Sequence, residues 1–555
     1  MVALFRFIFH RIKQFESTKN VQYSKIFSSY YSSRNNYSDT SKTSDNPCNR
    51  SKRWILLGCF GALGISSGLI LLKDKTNMVH SDSNIDTSNC KRDDLPTYRM
   101  REGVYDITDF VENHPGGDKI LLAAGNSVEP YWQIYQQHRT PEILQMLEEF
   151  RIGNLSSEDV LIEEVKDQND IYYNDPKRHP ALIVNSEKPF NAETPVELIM
   201  DSFFTPNDLF YVRNHMPVPN IDARKHLLTI EGVSVKHPLV LSVDDLKRKF
   251  TRVAVNSALQ CAGNRRSEMG KVKKVQGLNW KSTAIGNAKW AGVRLRDVVI
   301  AAGVSPTDTR IKHVILRGAD ADNEGNHYEA SILFEKAMKD EVIIAYEMNG
   351  EDIPRDHGYP IRLIAPGLVG ARQVKFLSAI ILSEEESKSH WQAKDYRGLP
   401  PFIDAQSHQN DFQLPPSIQE LPVQSAFCYP NSPMTIPRYS WYLLPLVSGQ
   451  FDVMGYAWSG GGRGIIRVEV SVDGGETWQA AELIQDPDQD IDHMWSWTLF
   501  KSTVKIPDNV KRLDLICKAT DRSYNTQPDT VRGIWNIRGF INNAWHHIPI
   551  EITDE

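Results

Sequence analysis

The pattern of apolar and polar positions divides the chain before any chemistry is considered. Phe5, Ile8, Phe9 and Ile12 recur at helical spacing among Arg6, Arg11, Lys13, Lys19 and Lys25, with one acid, Glu16, before Tyr31. Apolar residues three and four apart share a helix face, so this stretch predicts a basic amphipathic helix leading into Ser- and Tyr-rich sequence. Basic, acid-poor leaders of this kind are mitochondrial import signals; a disordered basic tail is the simpler alternative. Nineteen uncharged residues follow, Trp54 to Leu72, between Lys52 and Arg53 on one side and Lys73 and Lys75 on the other. A bilayer core is crossed by about 20 apolar residues. Gly58, Gly61, Gly64, Ser67 and Gly68 would let such a helix pack closely against another. A buried soluble helix is disfavoured, because the polar flanks offer it no core. Leader and stop-transfer segment together predict sorting to the mitochondrial inner membrane, with the body in the intermembrane space.

Beyond this head the pattern predicts a body of several units. Residues 73–94 are Ser/Asn/Asp-rich and read as spacer, and 95–155 as a small domain. Residues 156–177 are acidic and read as a flexible linker, able to let the small domain swing. From 178 to 405 short strand-like runs (Val253–Leu259, His313–Leu316, Val342–Tyr346, Ile361–Ile364) alternate with Gly-rich loops and short helical patterns, which predicts an α+β domain. After a Pro-rich junction, residues 410–555 are strand-rich. There Ile465–Val472 alternates, Asp473-Gly474-Gly475 turns and Thr477–Ala480 resumes, a hairpin signal in a predicted immunoglobulin-like β-sandwich. The expected fold class is thus α+β multidomain.

Composition changes the picture in two respects. The chain has 555 residues, 41% apolar and 24% charged, enough to bury several cores, which excludes collagen-like, disordered and disulfide-stapled classes. Net charge is −7, but residues 1–53 hold ten Lys and Arg against three Asp and Glu, leaving −14 on the rest. An acidic body disfavours nucleic-acid binding. The six cysteines, at 48, 59, 90, 261, 428 and 517, show neither metal-site nor disulfide spacing. Only Cys261 has a notable context.

Two stretches carry candidate chemistry. Val104-Tyr105-Asp106-Ile107-Thr108 leads to His114-Pro115-Gly116-Gly117, and His138 lies twenty-four residues further on. A haem iron takes axial ligands from opposite faces, and two imidazoles on separate elements can supply them. Pro and Gly after His114 end its element and let backbone approach a flat ligand. The segment resembles the cytochrome b5 family over residues 95 to 155, which implies His114 and His138 as haem iron ligands and haem b as cofactor. In one respect it departs from that family. Only Arg99 to Gly103 separate the opening Leu95-Pro96-Thr97-Tyr98 from the Val-Tyr-Asp strand, where the family has a further helix and strand. Part of the pocket wall is therefore expected to be missing, and haem binding weakened.

The second stretch is Gln260-Cys261-Ala262-Gly263-Asn264-Arg265-Arg266. A thiol flanked by two guanidiniums is expected to ionise readily, which suits a nucleophile or a soft-metal ligand. A buried cysteine beside a basic surface loop fits this heptad equally well. Other strings tip that balance. Phe210-Tyr211-Val212-Arg213-Asn214-His215, Ala345 to Gly350, Pro354 to Pro360, Gly370 to Lys375, Ser389-His390-Trp391 and Asp395-Tyr396-Arg397-Gly398 together resemble the sulfite oxidase family. So does the order of haem domain, molybdopterin domain and dimerisation domain, over about 95 to 555. Eukaryotic nitrate reductase shares the molybdopterin core but places its haem domain after it and adds a flavin reductase.

The resemblance implies that Cys261 ligates molybdenum, alongside a molybdopterin dithiolene. It implies that Arg213, Arg266, Trp280, Tyr396 and Arg538 line an anion pocket. Tyr211, Val212, Arg213, Asn214, His215, Asp320, His357, Arg362, Gln373, Val374 and Lys375 are implied to hold the pterin and its phosphate. It further implies oxidation of sulfite to sulfate, electrons leaving singly through haem to cytochrome c, and a homodimer formed by the C-terminal domain. Converging Arg forks would supply the local positive potential that a small anion needs to enter an acidic protein. The competing readings are a haem electron-transfer protein on an inactive scaffold, a nitrate-reductase-like molybdoenzyme, and an anchored interaction protein working through its sandwich.

Overall fold

The computed structural model describes residues 103–124, 127–135, 138, 140–154, 170–403, 414–437, 449–490 and 492–553. The expected leader 1–53, the apolar segment 54–72 and the spacer 73–94 lie outside these residues. Among the described residues no helix is long and apolar enough to cross a membrane.

Residues 103–154 form a small unit in which Gly103–Tyr105 pairs antiparallel with Arg151–Asn154, closing a two-stranded sheet. Between the strands lie two 3₁₀ segments, Thr108–Asn113 and Gly117–Ala123, and two α-helices, Glu129–Ile134 and Pro141–Glu149. Each α-helix carries proline in its first turn, where its missing N–H costs nothing. Ile143 and Leu147, four apart on the second helix, face the core with Trp132, which is fully buried.

The largest domain is built on two five-stranded sheets and a three-stranded one, Ile183–Glu187, Phe190–Glu193 and Val212–Arg213. In the first, the order is His327–Leu333, His313–Ala321, Leu377–Ser383, Leu227–Gly232 and Leu239–Ser242. All neighbours are antiparallel except Leu377–Ser383 with Leu227–Gly232. The second runs Glu351–Asp352, Ile343–Met348, Ile285–Arg294 and Arg252–Gln260, and Arg362–Ile364 also pairs with Ile343–Met348. Along His313–Ala321 every second residue is buried, as a strand with one face on a core requires. Leu228, Ile230, Val314, Leu316 and Ile380 of the first sheet pack there with Val293, Ile344 and Leu363 of the second. The strand-like runs read from the sequence thus lie in or overlap these sheets. One boundary differs: residues 170–177, expected in the acidic linker, make ordered contacts. Asp175 pairs with Arg178 and accepts the Val218 amide, and Asp170 pairs with Lys188.

The C-terminal sandwich stacks a four-stranded sheet (Gln424–Tyr429, Gln450–Trp458, Thr498–Lys505, Glu482–Ile484) on a five-stranded one (Met434–Pro437, His546–Thr553, Arg512–Asp521, Ile465–Ser471, Gln479–Ala480). Phe427, Val453 and Phe500 from one face meet Val468, Leu515 and Ile550 from the other. Gly474 and Gly475 take positive φ at the expected turn, where a side chain would be strained.

Arg265 joins the two larger domains. It sits in the left-handed region at φ 63°, a conformation costing a non-glycine residue roughly 1–2 kcal/mol. Its side chain is fully buried and offsets that cost. Both Glu268 carboxylate oxygens accept from it at 2.7 and 2.6 Å, as do the carbonyls of Ser425, Ala544 and Trp545 in the sandwich. Removing one member of a buried pair leaves the other uncompensated. Arg265→Met is therefore expected to lower the unfolding free energy by about 3–5 kcal/mol in denaturant titration. A loss below about 1 kcal/mol, the scale of an exposed pair, would contradict this role.

Candidate active site

Strand Arg252–Gln260 delivers Cys261 to the wall of a cavity. The chain then turns sharply. The Cys261 amide donates to the Ala284 carbonyl at 3.0 Å, and the Asn264 amide donates back to the Cys261 carbonyl at 3.1 Å. Asn264 pins the turn through the Ala284 amide and the Tyr456 hydroxyl. Helix Arg266–Val272 starts immediately after the left-handed Arg265. Consecutive arginines consequently point to different places, Arg265 into the sandwich and Arg266 towards Cys261. This corrects the expectation that both guanidiniums flank the thiol. Arg213 and Arg266 are the cations that interact electrostatically with the Cys261 sulfur, joined by the Tyr211 and Tyr396 hydroxyls. The Gly263 amide also donates to the sulfur, at 3.4 Å.

Glycine makes room for Arg266. A Cβ at Gly263, Gly277 or Gly539 would stand 2.7, 2.8 or 2.5 Å from its side chain. Gly277 and Gly539 also take positive φ, so a substitution there would be strained whatever the space. The guanidinium donates to the carbonyls of Arg538 and Leu278 and lies 5.0 Å over the Phe540 ring. Arg538 pairs with Asp395 and lies 5.4 Å from the same ring. Trp280 is fully buried against Gly263. Phe540 in turn stacks on Tyr396 at 5.0 Å. The Tyr396 hydroxyl is pushed up to about 12, chiefly by burial, so it stays protonated and hydrogen-bonds His215 Nε2 at 2.8 Å. Arg213 interacts electrostatically with the same hydroxyl. His215 is held well below its ordinary value by burial and by Arg213 and Lys375, and it is neutral.

On the opposite wall the charges are buried and dense. Lys375 donates to the carbonyls of Arg213 and Asp356 at 2.9 and 2.8 Å and to the Asn214 side chain. Burial draws its ammonium down to about 7, against the pull of Asp356. Arg362 donates to the carbonyls of His357 and Gln373, and burial lowers it to about 10. His357 Nε2 donates to the Asn207 carbonyl at 3.0 Å, and burial lowers the imidazole to about 4. Gln373 is spent on the Ala365 amide and the Leu368 carbonyl. Asp320 lines the cavity, and its buried Oδ1 meets no hydrogen-bond partner among the described residues. Burial raises its carboxyl to about 6. An unsatisfied buried acceptor among buried cations fits a polar, anionic organic group supplying the missing donors.

Of the residues expected from sequence, Tyr211, Arg213, His215, Cys261, Asp320, His357, Arg362, Gln373, Val374, Lys375 and Tyr396 line this one cavity. Val212 and Asn214 are buried beside it, and Arg266, Arg538 and Trp280 form the layer around Cys261 and Tyr396. Sequence reasoning missed Asp356, whose carboxylate accepts two bonds from Arg178 and one from Asn214. Burial raises that carboxyl, but Arg178 and Lys375 outweigh it and hold it below the usual range. It also missed Tyr328, packed 4.7 Å from His215, and Phe540. The signal available for Asp356 was the charged run Arg355-Asp356-His357 inside a Pro- and Gly-bounded turn.

His114 and His138 lie apart from the cavity, in the small unit. His114 Nδ1 meets the Gly117 carbonyl at 3.0 Å, and its buried Nε2 has no hydrogen-bond partner among the described residues. His138 Nδ1 meets the Tyr135 carbonyl at 2.8 Å, and its ring stacks on Trp132 at 5.5 Å. In both rings the δ nitrogen is engaged, which turns Nε2 into the lone-pair nitrogen, the arrangement a metal-ligating imidazole needs. Burial lowers both rings, so both are neutral. A Cβ on Gly116 would stand 2.9 Å from the His114 ring, and Gly117 turns at φ 56°. The pair fits a metal held between two imidazoles.

Comparison with known proteins agrees with this partition. Residues 215–391 match the oxidoreductase molybdopterin binding domain, 415–553 the Mo-co oxidoreductase dimerisation domain and 86–156 the cytochrome b5-like heme/steroid binding domain. The chain is 48% identical to mitochondrial sulfite oxidase of Rattus norvegicus, over 81% of this chain and 80% of that one. It is 43% identical to the Drosophila melanogaster enzyme of the same name, over 91% of each. A solved structure, the sulfane dehydrogenase SoxCD of Paracoccus pantotrophus, superimposes with a TM-score of 0.54 at 26% identity, over 65% of this chain and 84% of that one.

The buried carboxyl yields a pH test. Asp320 is raised from 3.8 to about 6, so its contribution to stability is present below pH 4 and lost as the pH rises through 6. In cofactor-free protein, Asp320→Asn is expected to raise the denaturation midpoint at pH 7 and to leave it nearly unchanged at pH 4. Equal shifts at the two pH values would contradict the assignment.

Proposed function

The chain belongs to the sulfite oxidase family, and from that premise we propose that the cavity at Cys261 is its sulfite-oxidising centre. The protein is a molybdenum oxidoreductase that oxidises sulfite and passes the electrons through a haem, with Mo-molybdopterin and haem b as cofactors. It is a mitochondrial protein, and its C-terminal domain is a homodimerisation domain. The reading of the site rests on one observation: Cys261 at the cavity wall with Arg213, Arg266, Tyr211 and Tyr396 in electrostatic contact with its sulfur.

In this reading Cys261 holds molybdenum, and His114 and His138 hold the haem iron. Bound molybdenum supplies oxo transfer and a two-electron sink, and haem passes electrons on singly; the net conversion takes sulfite and water to sulfate, two protons and two electrons. The protein's own residues bind and orient the anion. Arg213, Arg266 and Arg538 provide directional donors in a site shielded from water by Trp280 and Phe540, where their field is stronger than in solvent. Tyr396, still protonated, adds a hydroxyl whose orientation is fixed by neutral His215 and which lies in the field of Arg213. Tyr211 to His215, Asp320, His357, Arg362 and Gln373 to Lys375 hold the pterin and its phosphate, with Lys375 and Arg362 as the buried cations.

We further place the body in the intermembrane space, with residues 54–72 as sorting or anchoring segment, and cytochrome c as electron acceptor. The −14 beyond residue 53 supports a basic partner, because opposite net charge speeds encounter. Molybdenum content and sulfite-dependent cytochrome c reduction, compared between wild type and Cys261→Ser, test the reading. The substitution is expected to cost turnover at least about a hundredfold, and the wild-type rate should fall as salt rises. Unchanged turnover in Cys261→Ser would remove the catalytic assignment, and a salt-independent rate would remove the acceptor.

A further inference from the structure

Lys375 Nζ serves three acceptors at once: the Arg213 carbonyl at 2.9 Å, the Asp356 carbonyl at 2.8 Å and Asn214 Oδ1. An ammonium has three N–H donors, whereas a neutral amine has two and would turn its lone pair on the third acceptor. The surroundings are therefore built for the charged form. Burial works against that form and draws it to about 7. Of the charges facing Lys375, Asp356 favours the ammonium most, followed by Asp320, while Arg362 and Arg213 oppose it. His215 and His357 also face it, and both are neutral. Asp356 acts by a second route as well. Its Oδ1 accepts from Asn214 Nδ2 at 3.0 Å. A carboxylate only accepts, so it takes the NH2 end of Asn214 and leaves the amide oxygen for Lys375. Arg178 fixes that carboxylate with two bonds, at 2.8 and 2.9 Å, and lies 4.1 Å over the Phe190 ring.

We infer that Asp356 is a positioning residue: through Asn214 it keeps Lys375 a three-donor ammonium, and through Lys375 it holds the backbone of Arg213. The Arg213 guanidinium interacts with the Cys261 sulfur, so the series Arg178, Asp356, Asn214, Lys375 ties the pterin wall to the anion pocket. Loss of the Lys375 proton leaves one of its three acceptors unsatisfied and removes a cation from the wall that holds the pterin phosphate.

This inference rests on the molybdopterin reading above, and its readout is pterin retained rather than turnover. Full-length holoenzyme is passed through gel filtration at about pH 6 and at about pH 8.5, and pterin per chain is measured. Wild type is expected to retain its pterin at both. Asp356→Asn is expected to keep it at the lower pH and to lose it at least about fivefold at the higher one, where the amine is no longer held charged. Asn214→Leu, which leaves the Arg178–Asp356 pair intact, should change in the same direction, since a neutral amine can satisfy the two acceptors that remain. Arginine does not deprotonate in this range, so adding Lys375→Arg to Asp356→Asn should abolish the pH dependence. Loss of pterin equally at both pH values in Asp356→Asn and in Asn214→Leu, or retention as in wild type, would overturn the inference. So would a pH dependence that survives Lys375→Arg. A wild-type chain that holds no pterin at either pH would instead overturn the cofactor reading, and this inference with it.

Discussion

The buried fork of Arg265 is the interaction on which the site depends. A left-handed arginine is unfavourable by itself, and it persists because five hydrogen bonds, three of them to sandwich carbonyls, hold it there. That conformation separates the directions of neighbouring side chains. Cys261 and Arg266 face the cavity, while Arg265 crosses into the next domain. Docking of the sandwich and geometry of the Cys261 loop are thus one structural event. The sandwich also contributes Arg538 and Phe540 to the site, so its role is wider than assembly.

A second constraint is space. Three glycines surround the Arg266 side chain closely enough that any side chain at those positions would collide with it. The guanidinium is fixed by shape as much as by hydrogen bonds, which suits a group meant to act on an anion without reorganising. The opposite wall uses a different device. Burial draws Lys375 to about 7 and raises Asp320 to about 6, so the protein's own groups leave these charges weakly compensated. Such groups are costly until a partner of complementary charge arrives.

Much of this was legible in the sequence. The strand-like run at His313–Leu316 and the alternation at Ile465–Val472 fall on the strands His313–Ala321 and Ile465–Ser471. The residues expected to hold a cofactor were legible as whole strings such as Phe210 to His215, of which Phe210, Tyr211, Arg213 and His215 line the cavity. What escaped depends on contacts distant in sequence. Nothing in the pair Arg265-Arg266 says which one faces the thiol; that is decided by carbonyls at 425, 544 and 545. Asp356 is explained only once Arg178 is seen beside it.

The central claim, that Cys261 supplies a metal–sulfur bond in the cavity these residues build, can be measured at the metal. Molybdenum K-edge X-ray absorption on purified holoenzyme counts sulfur neighbours. The account predicts that Cys261→Ser lowers the sulfur count by one relative to wild type while molybdenum remains bound through the pterin. An unchanged sulfur count in the loaded variant would contradict it.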